Sequence, residues 1–189
     1  MNTPSKKECD RLFHTTGMLA HIIDHSRQVF RVATFLTNQL RKADIFLGRE
    51  LVAAAALLHD ITKTRSFNTG EDHTRTGEEL LIRLGYTEVG KIVGQHVTLD
   101  TYFSSDIPDE AEIVNYADKR VLHDRIVSMD ERMQYILEKY CQKPGYRRRL
   151  HRLWDVSREM ERRVFRHLSF LPEELEQQMA GELNPDPWW

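Results

Sequence analysis

The chain has 189 residues, 40% hydrophobic and 30% charged, a composition that suits a folded globular domain and excludes disordered or collagen-like chains. A net charge of −2 gives no global attraction to nucleic acid. The longest uncharged apolar run, Leu51 to Leu58, falls far short of the roughly 20 residues of a membrane helix. The polar start MNTPSKKECD holds no signal-peptide core, so a cytoplasmic protein without a membrane partner is expected. Cys9 and Cys141 form no CxxC pair, so any metal must be held by nitrogen and oxygen.

Helical periodicity dominates from the first apolar residues onward, with no alternating strand pattern and no repeat. A helix is predicted from Met18 to Leu40, with Met18, Ile22, Val29, Val32, Ala33 and Leu36 on one face. The segment Arg49 to Ile61 is apolar all round and reads as a short, central, buried helix. Lys63 to Asp72 reads as a polar loop. Helices follow at Thr74 to Leu84 and Thr87 to Val97, parted by Gly85. Pro108, with Asp109 and Glu110 behind it, marks the start of a helix that carries Asp118.

Pro144-Gly145 is expected to end the next helical stretch. An amphipathic helix then runs from Tyr146 to Leu168, with a stripe of Leu150, Leu153, Trp154, Met160, Val164 and Leu168. Residues 143–168 carry nine Lys/Arg against three Asp/Glu, whereas 169–189 carry five acids and no Lys/Arg. The two segments suit folding against each other; the basic face reads as a solvated helix surface with the acidic tail nearby, or as a docking surface for an anionic partner such as nucleic acid. The tail NPDPWW is expected to be extended. The expected organisation is an all-α bundle over residues 1–142, with a C-terminal helical extension over 143–189.

Several apolar stripes are interrupted by polar residues. His25 lies among Met18, Ile22, Val29 and Val32; the Leu51, Val52, Ala55, Leu58 face runs directly into His59 and Asp60. The Val89, Ile92, Val93 stripe continues to His96, and Asp118 breaks the stripe of Ala111, Val114, Val121 and Leu122. His73 stands at the open end of the apolar face of its helix. One buried histidine is ordinary, but unpaired buried carboxylates cost several kcal/mol each. A cation is the simplest common cause. Four imidazoles and two carboxylates suit a first-row ion such as Mn, Fe, Co or Zn better than Ca or Mg. Six donors with a bridging carboxylate suit two ions about 3.5–4 Å apart.

The string LVAAAALLHDITK, with His25 before it and Asp118 in YADK after it, resembles the metal set of the HD-domain metal-dependent phosphohydrolases. The resemblance covers roughly Gly17 to Tyr140 and implies that His25, His59, Asp60 and Asp118 hold a first ion. His73 and His96 fall where dinuclear branches have two added histidines, which implies a second ion bridged by Asp60. Fe or Mn is the expected metal, with Co, Ni or Zn as further choices. The segment HTRTGEELLIRLGY, followed by GQHV, resembles the small bacterial dinucleoside polyphosphate hydrolases of this superfamily, although Thr62 stands where many relatives have Gly.

The chemistry so implied is hydrolysis of a phosphoester or phosphoanhydride of a nucleotide or dinucleotide, with a metal-bridging hydroxide as nucleophile. Asp60 and Lys63 are the expected catalytic pair, the lysine reaching a bound phosphate. Arg65, Arg75, Lys119 and Arg120 are candidate phosphate contacts, since guanidinium forks and ammonium groups suit phosphate. His14, His21, His123, His151 and His167 are assigned to other work, His21 because it falls off the apolar stripe. Two other readings share the donor set: a di-iron oxygenase of the same superfamily, and a nucleotide-sensing protein without turnover. A homodimer fits the sequence as well as a monomer does.

Overall fold

A computed structural model describes residues 2–140 and 144–181. It is all-α apart from one two-residue hairpin. The first helix, α1 (Lys6–Thr15), precedes the predicted ones and is held at its start by a capping box: Glu8 Oε2 accepts from the Ser5 backbone at 2.8 Å, and Ser5 Oγ accepts from the Glu8 backbone. Its sequence signal is Ser5-Lys6-Lys7-Glu8, with Cys9, Leu12 and Phe13 as the buried face.

The long helix α2 (Ala20–Lys42) and the short α3 (Arg49–Leu58) form the centre. Every side chain from Val52 to Leu58 is buried, because α3 packs against α1, α2, α6 and α7 at once. Small residues make this possible: the run Ala53–Ala56 lets neighbours approach closely from all sides. Residues 63–72, expected as a loop, contain a further helix, α4 (Lys63–Thr69), closed by Gly70 with φ of 69°. α4 buries no side chain, so it has no apolar stripe to read.

α5 (His73–Arg83), capped by Asp72, and α6 (Thr87–Gly94) pack tightly on one another. Gly90 faces the Glu78 backbone, where an added Cβ would lie 3.0 Å from the carbonyl oxygen. α7 (Glu110–Lys119) starts at Asp109, in a capping box with Glu112. The hairpin β1 (Val121–Leu122) and β2 (Arg125–Ile126) then turns at His123, which adopts φ of 58°.

α8 (Met129–Tyr140) packs against α9 (Pro144–Phe165) and α9 against α7, and α10 (Leu175–Gly181) follows a 3-10 turn at Pro172–Glu174. Pro144 opens α9 instead of ending a helix, as suits a residue with no N–H to leave unsatisfied. Leu150, Met160 and Val164 of the expected stripe are buried, and Leu153, Trp154 and Leu168 are half-buried. Among the described residues, four arginines between positions 158 and 166 lie against acids outside the tail. Arg158 pairs with Asp130, Arg166 with Asp106, Arg162 with Glu159 inside the helix, and Arg163 lies 3.9 Å from Glu112. The NPDPWW tail and Cys141 lie outside the described residues. Among the described residues no helix is long and apolar enough to cross a membrane.

Candidate metal centre

The six residues singled out by broken apolar stripes converge on the floor of one cavity of about 820 Å³, five of them lining it and His59 lying beneath. His25 comes from the second turn of α2, His59 and Asp60 from the end of α3, and His73 from the first turn of α5. His96 lies just past α6, and Asp118 lies in the last turn of α7. The donor atoms sort around Asp60. Its Oδ2 lies 3.3 Å from His59 Nε2, while its Oδ1 lies 3.4 Å from both His73 Nε2 and His96 Nε2. Asp118 Oδ1 lies 3.0 Å from His25 Nε2 and 3.7 Å from His59 Nε2.

The backbone sets the orientation of three of these rings. His59 Nδ1 donates to the Ala56 carbonyl at 2.7 Å, and His96 Nδ1 donates to the Val93 carbonyl at 2.7 Å. Both histidines thus cap the carbonyl three residues back at the end of an apolar helix, where main-chain acceptors are left over. His25 Nδ1 donates to the His123 carbonyl at 2.8 Å, so the strained turn of the hairpin supplies that partner. With each Nδ1 proton committed, every neutral ring turns an Nε2 lone pair inward toward carboxylate oxygens.

Such an arrangement of acceptors facing acceptors is repulsive unless a cation or a proton lies between them. Two of the atoms, His59 Nε2 and Asp60 Oδ1, are buried with no hydrogen-bond partner. The donor types and the orphaned atoms fit a divalent cation, and two overlapping sets, His25–His59–Asp118 and His59–Asp60–His96, are close enough to hold one. Electrostatics agree. Burial opposes charge on Asp60 and Asp118, yet His59 and Lys63 for the first, and the His25 hydrogen bond and Arg132 for the second, hold both carboxyls well below the usual range. Burial likewise opposes a charged His59, but Asp60 outweighs it and raises the pKa, whereas burial lowers that of His96.

The expected phosphate contacts divide. Lys63 lines the cavity, its Nζ 2.7 Å from Asp60 Oδ2. Lys119 also borders it but is buried, and its ammonium donates to Asn115 Oδ1, the Asn115 carbonyl and the His96 carbonyl, which uses all three donors. Burial pushes its pKa down to about 8. Arg65 and Arg75 stand outside the cavity in exposed pairs with Glu71 and Glu79. Arg120 is buried elsewhere, paired with Glu161 and bonded to the Val127 and Pro172 carbonyls, where it ties α7 to α9. In their place the cavity is lined by Arg132, 4.0 Å from Asp118 through one guanidinium nitrogen. Arg132, Met133, Tyr135, Ile136 and Lys139 share one face of α8 at spacings of one, three and four, a legible pattern that points at the cavity. His21 and His123, assigned elsewhere by sequence, line its wall.

A helical bundle enclosing a buried histidine–aspartate donor set is the class of protein that fold and site define. The HD-domain family model matches residues 22–121, more than half of the chain, and the chain belongs to that family. HD domains bind divalent metals and are generally metal-dependent hydrolases. The chain is also 31% identical over 144 residues to a tRNA (cytidine(56)-2'-O)-methyltransferase of Picrophilus torridus, covering 69% of this chain and 40% of that protein. The chain thus spans well under half the length of this relative. No solved structure matches it.

Proposed function

We propose that the protein is a metal-dependent phosphohydrolase that cleaves a phosphoester or phosphoanhydride bond of a nucleotide. The observation that carries this reading is the pair of orphaned buried atoms, His59 Nε2 and Asp60 Oδ1, set among lone pairs that a proton or a metal must separate. His25, His59, Asp60 and Asp118 would hold one ion, and His73 and His96, sharing Asp60, a second. Such ions, when bound, supply Lewis acidity toward a phosphoryl oxygen and make water acidic enough to attack near neutral pH.

The chain's own groups do the rest. Lys63, held by Asp60, presents its ammonium at the cavity floor, where negative charge gathers on a phosphoryl group. Arg132 approaches from α8, near Asp118, with a fork suited to two phosphoryl oxygens. The apolar lining by Met133, Ile136 and Leu153 lowers the local dielectric, which strengthens both contacts.

The test is metal analysis of protein purified without chelator, with phosphate release followed from a panel of mononucleotides and dinucleoside polyphosphates under added Mn. Bound metal with turnover is the expected result. Two irons with dioxygen consumption and no hydrolysis would replace this reading by the oxygenase, bound nucleotide without turnover would replace it by the sensor, and absence of metal would remove its basis.

A further inference from the structure

Resting on the hydrolase reading, the geometry points to the kind of substrate: a monoester with one phosphate on a planar, largely apolar body, selected by α4, α8 and α9. Two of these helices, α8 and α9, lie beyond the 22–121 segment that the family model matches.

The cavity has two unlike parts. At the floor, beside the metal-type donors, two cations enter from different helices, Lys63 on α4 and Arg132 on α8. Arg132 is poorly satisfied there: its Nε is buried with no hydrogen-bond partner, and its nearest carboxylate oxygen, on Asp118, is 4.0 Å away. A buried guanidinium nitrogen without an acceptor marks the place of an anion that supplies one. Above this floor the character changes. Ile22, Met133, Ile136, Leu150 and Leu153 present hydrocarbon, and at the mouth Phe67 of α4 stands 60% exposed while still lining the cavity. An aromatic side chain left in water beside an apolar wall suits stacking against a planar group.

Counting the cations limits the phosphates. Lys119 has no free donor, as described above, and Lys139 at the outer rim donates to the Tyr135 hydroxyl at 2.8 Å while lying over the Tyr135 ring. Among the described lining residues that leaves two cations at the floor and Lys139 at the rim, whose bond to a neutral hydroxyl does not remove its charge. One phosphate is matched by the two floor cations and by the metal site. A chain of phosphates bridging two nucleosides would have to lay its further charge along the Met133, Ile136 and Leu153 surface, at the cost that buried charge carries. The inference therefore favours a mononucleotide-sized monoester over the dinucleoside polyphosphates that the sequence resemblance implies.

The experiment compares 1-naphthyl phosphate, adenosine monophosphate, glycerol phosphate and diadenosine tetraphosphate on the metal-loaded full chain, by kcat/KM and by calorimetric binding. The two planar monoesters are expected to exceed glycerol phosphate and the tetraphosphate by at least about tenfold, the size of a single well-buried apolar contact. Phe67→Ala and Ile136→Ala should each shrink the naphthyl-to-glycerol ratio, and Arg132→Gln should raise KM for every monoester, with partial recovery in Arg132→Lys. Phe46→Ala, an exposed aromatic remote from the cavity lining, is the control and should leave the ratio unchanged. Equal rates on all four probes, or a ratio that survives Phe67→Ala and Ile136→Ala together, would overturn the inference while leaving the hydrolase reading standing. Tight binding of the planar monoesters without any turnover would do the reverse.

Discussion

The ammonium of Lys63 lies 2.7 Å from Oδ2 of Asp60, three residues back along the chain, so that a cation from α4 touches the carboxylate at the middle of the donor set. Burial works against charge on this lysine, but the Asp60 carboxylate outweighs it and keeps it protonated. Lys63→Met should lower kcat by about 10²–10³-fold, the loss usual for one donor aimed at developing charge. Lys63→Arg should restore part of it. Metal content should not fall, because the substitution removes a competing cation from Asp60; steady-state kinetics beside metal analysis tests this, and unchanged kcat would reduce Lys63 to a structural ion pair.

Asp60 offers one oxygen to each half of the site, whereas His96 and Asp118 each belong to one half. Asp60→Asn should therefore weaken binding of all metal, by more than the roughly 100-fold that loss of an outer-shell partner costs. His96→Ala and Asp118→Asn should each remove mainly one equivalent. Titration calorimetry of the three variants tells these outcomes apart, and identical losses in all three would argue for a single ion.

Acid and base should act in opposite directions on the metal-free and metal-loaded forms. Asp60 and Asp118 have pKa values depressed below the ordinary 3.8, so the stability they add is in place above about pH 4 and is lost as pH falls. His59 is raised above 6.5, so its contribution is complete below that value and is lost as pH rises through the raised one. Above about pH 6.5, where the lowered pKa of His96 no longer adds an opposite slope, the metal-free protein should lose stability as pH rises through the raised pKa of His59. A metal takes the Nε2 position that the proton would hold, so the loaded protein should gain over the same interval. Thermal unfolding with chelator and with metal measures both slopes; parallel slopes would mean that proton and metal do not compete.

Gly90 sits where α6 crosses the Glu78 backbone, and an added methyl would lie 3.0 Å from that carbonyl and 3.1 Å from Ile82 Cγ1. Gly90→Ala should cost about 1–3 kcal/mol of stability by overpacking. Because His73 opens α5 and His96 follows α6, parting these helices should also loosen the 3.2 Å approach of the two Nε2 atoms. Denaturant unfolding together with titration of the second metal equivalent checks both effects.

By itself, the sequence determined most of the helical architecture and marked the six polar residues that meet at the base of the cavity. A histidine or aspartate in an apolar stripe breaks a periodic pattern, and burying it without a partner is costly enough that the break carries information. His59 and His96 were doubly legible, since each continues an apolar helix past its end. What only the tertiary structure decided was which cations reach the cavity. Arg65, Arg75, Arg120 and Arg132 are alike as residues, yet Arg120 is held by Glu161, Arg65 and Arg75 by exposed acids, and Arg132 alone faces the donors. A long cationic side chain takes its role from whichever helices pack around it, and that packing joins residues dozens of positions apart. The same holds for α4, which has no buried face to mark it, and for the His123 carbonyl, a main-chain group brought to His25 across 98 residues by a strained turn.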